Sequence, residues 1–156
     1  MDIKLNMDDL KFKMRVSGII IKDNKLLVEK YSSDKYCLPG GYVNLGETTK
    51  EAIIREIKEE MKKEATIDKY LGVIENFFTG IRLGKTHGID FYYSLNIDEK
   101  LPNEDFEIYE LDNGVDIYHK YKWININDLK KYNLVPNIII DKIMNNDINF
   151  HEIVKS

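Results

Sequence analysis

The stretch Leu38–Lys63 constrains the fold of this chain more than any other part of its sequence. Its second half has the spacing of an α-helix, and Thr48 followed by Glu51 forms the capping-box pattern that marks a helix start. At about 100° per residue, four apolar side chains of this segment fall on one contiguous arc. We therefore predict a helix of roughly four turns. Its buried face consists of Ile53, Ile54, Ile57 and Met61.

Three glutamates, Glu56, Glu59 and Glu60, occupy a neighbouring arc of the same helix. Like charges at these spacings repel by about 0.2–0.5 kcal/mol per pair. They also lie in the C-terminal half of the helix, where the helix dipole disfavours anions. Ala52 shares the arc and, because it is small, leaves room above it. The arrangement is costly unless positive charge compensates it.

Two interpretations account for these glutamates. The first is an ordinary solvated face of a highly charged chain, with Lys58, Lys62 and Lys63 as partners. The second is a site for a hard divalent cation, because Mg²⁺ and Mn²⁺ bind oxygen ligands and keep waters for chemistry. The three carboxylates by themselves do not decide between these interpretations.

The residues before the glutamates favour the second interpretation, a site for a divalent cation. Gly41 is followed after five residues by Glu47 and after seven more by the run Arg55–Glu60, whose sequence is REIKEE. This spacing resembles the signature of the Nudix hydrolases, with six fixed residues and one apolar position in agreement. The resemblance departs at the end, where the family has a glycine and an aliphatic residue and this chain has Lys62 and Lys63. Because that glycine would be a left-handed C-cap, we expect the helix to end differently here and to run slightly further.

The resemblance implies a fold and an activity. Nudix hydrolases are α/β proteins in which a mixed β-sheet lies within an α/β/α sandwich. They hydrolyse a nucleoside diphosphate linked to another group, usually with Mg²⁺, for which Mn²⁺ is a substitute. Two alternatives stay open: a Nudix-fold binding or regulatory module without turnover, and, more distantly, a diphosphate isomerase. Intact carboxylates favour the enzyme, because a pure binder has no need to maintain their mutual repulsion.

The resemblance also assigns residues to the catalytic site. It implies that Glu56, Glu59 and Glu60 bind the metal together with the carbonyl oxygen of Gly40. Arg55 and Glu47 complete the catalytic set, and we expect them to form a bidentate pair that holds the loop against the helix. The alternative for Glu47 is direct contact with a metal ion.

The general base is not identified by the sequence. One helix glutamate, Glu59 or Glu60, is a candidate. The segment Asp98–Asp116 is acidic and weakly periodic, and we predict a long loop there. The other candidates come from this loop, although a solvated carboxylate is the plainer interpretation of each: Glu104, Glu107 and Glu110.

Composition limits the remaining classes of protein. The 156 residues are 43% hydrophobic, which suffices for one domain with a real core, and we predict a single domain over residues 1–156 with a flexible arm at residues 1–10. The net charge of −4 argues against a nucleic-acid polymer as partner. One cysteine, Cys37, fits a reducing compartment. With no signal-peptide pattern and no membrane-spanning run, we expect a cytoplasmic protein that binds a small nucleotide, with a homodimer as one assembly to consider.

Hydrophobic periodicity predicts further elements around the glutamate helix. A turn is expected at Gly80–Gly84. Strands are expected at Phe12–Lys22, Lys25–Tyr31, Ala65–Thr79, His87–Asn96 and Ile117–Ile124, and helices at Asn127–Tyr132 and Val135–Met144.

The substrate prediction depends on what the chain lacks. In this family, ADP-ribose hydrolases usually carry a proline about fifteen residues beyond the signature, where this chain has Phe77 and Phe78. Motifs of the diadenosine polyphosphate, NADH and coenzyme A hydrolases are not visible either. We therefore expect a small substrate such as a nucleoside triphosphate, ordinary or oxidised, that is cleaved to a monophosphate and pyrophosphate. An ADP-ribose or nucleotide-sugar hydrolase is the alternative.

Overall fold

A mixed β-sheet forms one half of the architecture. The computed structural model describes residues 1–80, 84–97 and 100–156. Two strand pairs of this sheet are parallel, β2 (Leu10–Ile19) with β8 (Gly84–Ile97) and β7 (Ala65–Gly80) with β11 (Phe150–Lys155), and the other pairs are antiparallel. In sheet order the strands are β1 (Lys4–Met7), β2 (Leu10–Ile19), β8 (Gly84–Ile97), β7 (Ala65–Gly80) and β11 (Phe150–Lys155), and β6 (Gly40–Tyr42) also pairs with β2.

A second sheet, antiparallel in every described pairing, faces the first across the core. Its central strand β4 carries a continuous apolar run at positions 26–28 that is completely buried, because core side chains cover both of its faces. The strands are β3 (Ile21–Lys22), β4 (Lys25–Lys30), β10 (Val115–Asn125) and β9 (Phe106–Asp112) in sheet order, and β5 (Tyr36–Cys37) also pairs with β4.

Helices cover both sides of the core. Helix α1 (Thr49–Met61) packs into one apolar cluster, and a 3₁₀ helix (Ile126–Lys131) and helix α2 (Ile139–Met144) pack into the other. The buried face of α1 consists of Ala52, Ile53, Ile57 and Met61. The predicted α/β fold with a mixed sheet is therefore confirmed. On the buried face of α1, Ala52 lies in the core where Ile54 was expected. None of the helices in the described ranges is long and apolar enough to span a membrane.

Several sequence predictions need correction. The acidic segment expected to be a loop contains β9 and the start of β10, because alternate positions of β9 point inward and only the others are exposed. Residues 98–99 of that segment, and residues 81–83 of the predicted turn, lie outside the described ranges. The expected flexible arm includes β1, which pairs with β2 over Lys4–Met7.

The C-terminal part also differs from the prediction. The helix expected at Asn127–Tyr132 is a 3₁₀ helix in the structure. Its start is capped by Asn125, which accepts a hydrogen bond from the backbone N–H of Asn127 at 2.9 Å. The helix predicted at Val135–Met144 is shorter in the structure and consists of α2 alone. The sequence prediction missed β11, which adds a parallel edge strand to the mixed sheet.

The end of α1 departs from the prediction as well. The helix ends at Met61, and Lys62 adopts the left-handed conformation of a C-cap, with φ 58° and ψ 34°. It thus takes the conformation of the family's glycine although it is not a glycine. Since a left-handed non-glycine residue costs roughly 1–2 kcal/mol, the family's helix end is retained here under strain.

This strain leads to a stability prediction. We expect Lys62→Gly to raise the free energy of unfolding by about 1 kcal/mol and the melting temperature by about 2–4 °C. Lys62→Ala is the matched control, because it also removes the 2.6 Å hydrogen bond from Lys62 Nζ to the Glu59 carbonyl but keeps the strain. Thermal unfolding of both variants is the measurement. Equal or lower stability of the glycine variant relative to the alanine variant would refute the strained cap.

Candidate active site

The start of α1 is fixed by the predicted capping box. The backbone N–H of Glu51 donates to Thr48 Oγ1 at 3.2 Å, and the backbone N–H of Thr48 donates to Glu51 Oε2 at 2.8 Å. These bonds satisfy donors that would otherwise be unpaired at the first turn. They fix the residue at which α1 begins, and Glu56 of α1 then lies against Gly41 of β6.

The two glycines of β6 allow the chain to pass close to this helix. A Cβ atom on Gly40 would overlap the carbonyl oxygen of Val16, and one on Gly41 would overlap the carboxyl group of Glu56. A larger residue at Gly41 would therefore displace the Glu56 carboxyl group from its present position. Gly40, the predicted carbonyl ligand, lies immediately before this contact and opposite Ser17 in the sheet.

Arg55 connects the loop before α1 to the carboxylates on it. Its Nε donates to Glu47 Oε2 at 2.7 Å and its Nη2 to Glu47 Oε1 at 2.9 Å, which is the predicted bidentate pair. The same guanidinium donates to Glu56 at 2.9 Å, to Glu59 at 3.2 Å and to the carbonyl of Tyr42 at 2.9 Å. Hydrogen bonds from Arg55 lower the pKa of Glu47. One side chain therefore orients three carboxylates.

The three helix glutamates have different environments. The side chain of Glu59 is 51% exposed, whereas that of Glu56 is 13% exposed. Burial raises the pKa of Glu56. Burial, followed by the charges of Glu29 and Glu56, raises the pKa of Glu60 to about 9. The structure thus brings Glu56, Glu59 and Glu60 together on one side of α1, with Glu60 deepest.

The residues present fit a divalent cation. Among the described residues, Glu60 Oε2 is buried and has no hydrogen-bond partner. A buried carboxylate oxygen without a partner costs about 1–3 kcal/mol or more, and here the neighbouring groups include further carboxylates. A hard cation would supply both the missing partner and the missing positive charge.

A polar cluster that the sequence prediction missed lies behind Glu60. His119 on β10 is only 8% exposed, and its Nδ1 lies 2.6 Å from Glu29 Oε1 on β4 while its Nε2 lies 2.7 Å from Glu110 Oε2 on β9. Hydrogen bonding to Glu29 is the largest factor that raises the pKa of His119, to about 9. The ligand atoms of Glu29, Glu60 and His119 all lie within 4.8 Å of one another.

The candidates for the general base on the acidic segment differ in whether they point inward or are exposed. Glu110 points inward from β9 and joins the cluster through His119. Glu107 is exposed on the opposite face of β9, and Glu104 is exposed before the strand. The alternation of Phe106, Ile108 and Glu110 was the signal in the sequence that could have identified the inward carboxylate.

Two other side chains border the site. Burial is the main factor that raises the pKa of the Cys37 thiol, to about 12, so the thiol stays protonated and is not an activated nucleophile. The Arg15 guanidinium lies over the ring of Tyr42, with 5.5 Å between Cζ and the ring centroid. Arg15 adds positive charge near Glu60.

Comparison with known proteins agrees with this geometry. The Nudix domain family model matches residues 11–141. An 8-oxo-dGTP diphosphatase of Buchnera aphidicola subsp. Schizaphis graminum is 30% identical over 129 residues, which cover 80% of this chain and 85% of that protein. An ADP-ribose pyrophosphatase of Methanocaldococcus jannaschii is 47% identical over 62 residues, 37% of each protein, so the match spans just over a third of that relative.

Solved structures support the fold. The MutT protein of Bacillus halodurans superposes with a TM-score of 0.65 at 13% identity, over 89% of this chain and 86% of that one. At this identity the likeness concerns the fold alone. The family model, however, spans most of the chain and includes the whole arrangement around α1. This chain therefore belongs to the Nudix family of hydrolases.

Proposed function

We propose that this hydrolase cleaves a small nucleoside triphosphate, ordinary or oxidised, to a nucleoside monophosphate and pyrophosphate, with Mg²⁺ or Mn²⁺. One observation carries the metal-dependent part of the proposal. The buried Oε2 of Glu60 has no hydrogen-bond partner within residues 1–80, 84–97 and 100–156, and it lies beside the carboxylates that Arg55 orients. A divalent cation would offset the negative charge of these carboxylates and that of a phosphate substrate.

Each residue of the proposed site has a role. Glu56, Glu59 and Glu60, with the Gly40 carbonyl, would hold the cation. Arg55 acts as the positioning residue, because it donates to Glu56 and Glu59 at the same time. When bound, the cation supplies positive charge for the phosphate oxygens and acidifies water near neutral pH.

Glu47 has a supporting role in this proposal. Both of its carboxylate oxygens are engaged by Arg55, and one of them also accepts from the backbone N–H of Asn44 at 3.0 Å. These bonds occupy Glu47 on the loop side of Arg55. We therefore assign it to the orientation of Arg55 and not to metal binding.

The choice of substrate has support from one relative and competition from another. The relative that matches most of this chain is named for 8-oxo-dGTP, a nucleoside triphosphate. The relative named for ADP-ribose is more similar, but only over 62 residues. The longer match covers 80% of this chain and the shorter one 37%, which favours the triphosphate.

Steady-state kinetics test this proposal. We expect kcat/KM for dGTP or 8-oxo-dGTP to exceed that for ADP-ribose by at least about tenfold, which corresponds to about 1.4 kcal/mol in transition-state binding. Glu60→Gln protein, purified in the same way, controls for contaminating phosphatases. A higher kcat/KM for ADP-ribose would refute the triphosphate assignment. Binding of nucleotide without turnover of any substrate would instead identify a binding module.

A further inference from the structure

The cluster behind Glu60 is assembled by strand pairing in the second sheet. Glu29 of β4 lies directly opposite Tyr121 of β10, and His119 lies opposite Ile108 of β9. Paired residues on antiparallel strands share a face, and so do residues two apart on one strand. Glu29, His119 and Tyr121 therefore point to the same side, toward α1. Glu110, two residues beyond Ile108, joins them.

The distances within this cluster suit a metal ion. The donor atoms of Glu29, Glu60 and His119 lie within 4.8 Å of one another, so one ion between them needs only a small adjustment of side chains. His119 is 92% buried, since it is 8% exposed, and both of its ring nitrogens face carboxylates. Even with a charged imidazole, the nearby carboxylates of Glu29, Glu60 and Glu110 leave an excess of negative charge.

A second observation points to a missing ligand at the same place. In the described part of the chain, Tyr121 is 2% exposed and its hydroxyl group has no hydrogen-bond partner. Tyr121 lies directly opposite Glu29 in the pairing of β10 with β4. Burial, followed by the charges of Glu29 and Glu60, raises the pKa of the Tyr121 hydroxyl. Two unpaired polar atoms, Tyr121 Oη and Glu60 Oε2, thus meet in one buried region.

We propose that Glu29, Glu60 and His119 bind a divalent transition metal, with Glu110 as the group that orients the imidazole. The imidazole nitrogen is the reason for the class of metal, because imidazole suits transition-metal ions such as Zn²⁺ better than it suits Mg²⁺. The ion replaces the proton between His119 Nδ1 and Glu29 Oε1 and the proton that Glu60 holds in the metal-free protein, and both protons leave to solvent. The proton on Nε2 stays and donates to Glu110, which fixes the tautomer.

This second site shares the ligand Glu60 with the catalytic site. It therefore rests on the proposed function for the assignment of Glu60 as a metal ligand. It does not depend on turnover. The helix site offers oxygen ligands only, whereas the second site adds one nitrogen. A measurement that detects nitrogen bound to metal therefore separates the two sites.

Pulsed electron paramagnetic resonance of Mn²⁺ added to the protein makes this measurement, at increasing molar ratios of metal to chain. We expect ¹⁴N modulation from an imidazole ligand in the wild type. The chain has three histidines, so a double variant His87→Gln with His151→Gln leaves His119 alone. The modulation should persist in this double variant and disappear in His119→Gln, and Glu110→Gln should weaken Mn²⁺ binding at this site by about tenfold.

The outcomes are distinct. Absence of ¹⁴N modulation in the wild type, its loss in the double variant or its survival in His119→Gln would each overturn the proposal. If His119→Gln does not fold, the double variant still decides, because its only imidazole is that of His119. Wild-type protein that shows the modulation but hydrolyses no nucleotide would contradict the proposed function alone. Hydrolysis without the modulation would contradict the second metal site alone.

Discussion

Glu59→Gln and Glu60→Gln are each expected to lower kcat by about a hundredfold or more while the fold stays intact. Each substitution keeps the shape of the side chain but removes a negative charge from the site that we propose for the cation. Glu107→Gln is the matched control, because Glu107 is exposed on the outer face of β9. Steady-state hydrolysis of the preferred nucleotide is the measurement. Near-normal kcat in both helix variants would refute the assignment of the metal ligands.

Although Glu60→Gln should lower kcat, we expect it to raise the stability of the metal-free protein at high pH. The native state holds the Glu60 proton up to about pH 9, whereas the ordinary pKa is 4.5. The stability linked to this group is therefore complete below pH 4.5 and is lost as the pH rises toward 9. Urea unfolding in a chelator should show Glu60→Gln to be more stable than wild type at pH 9, with a smaller difference at pH 5. A variant that is less stable at pH 9 would contradict the buried environment of Glu60.

Arg55→Ala is expected to cause the largest loss of stability. It removes the hydrogen bonds from the guanidinium to Glu47, Glu56, Glu59 and the Tyr42 carbonyl. The partly buried carboxylates then lose the positive charge of Arg55. Removal of one partner from a buried pair costs about 3–5 kcal/mol, and we expect the lower end of this range because the Arg55 side chain is 26% exposed. Each kcal/mol lowers the melting temperature by about 2–4 °C. Thermal and urea unfolding measure the effect.

Two further variants define this effect. Arg55→Lys keeps the charge but loses the bidentate geometry, so we expect an intermediate loss of stability and a lower kcat. Lys131→Ala removes an exposed ion pair with Asp128 and should change stability by less than about 0.5 kcal/mol. If Arg55→Ala behaves like Lys131→Ala, then Arg55 does not hold the site together.

The part of the site that the sequence predicted is the part formed by local chain geometry. The capping box, the buried face of α1 and the shared arc of Glu56, Glu59 and Glu60 all follow from the helical repeat. The pair of Arg55 with Glu47 spans only eight residues and was expected from the family signature. The helix end was predicted incorrectly because sequence preference alone cannot say that Lys62 accepts a left-handed conformation.

The missed part of the site is formed by contacts between distant segments. Glu29 and His119 are 90 positions apart in the chain and meet only because β4 pairs with β10. Neither has a local pattern that distinguishes it from a surface residue. Glu110 was hidden for a related reason, since the exposed acidic positions of β9 gave the whole segment the composition of a loop. Strand β11 is short and half-exposed, so its pairing with β7 carries its stability.

Hydrolysis of a nucleoside triphosphate with Mg²⁺ and with a chelator, followed by ³¹P NMR, tests the central claim most directly. The claim is that the carboxylates of α1 act through a divalent cation. We predict conversion to nucleoside monophosphate and pyrophosphate with millimolar Mg²⁺, no conversion when EDTA exceeds the metal, and recovery when Mg²⁺ is restored. Conversion at an undiminished rate in excess EDTA would contradict the claim.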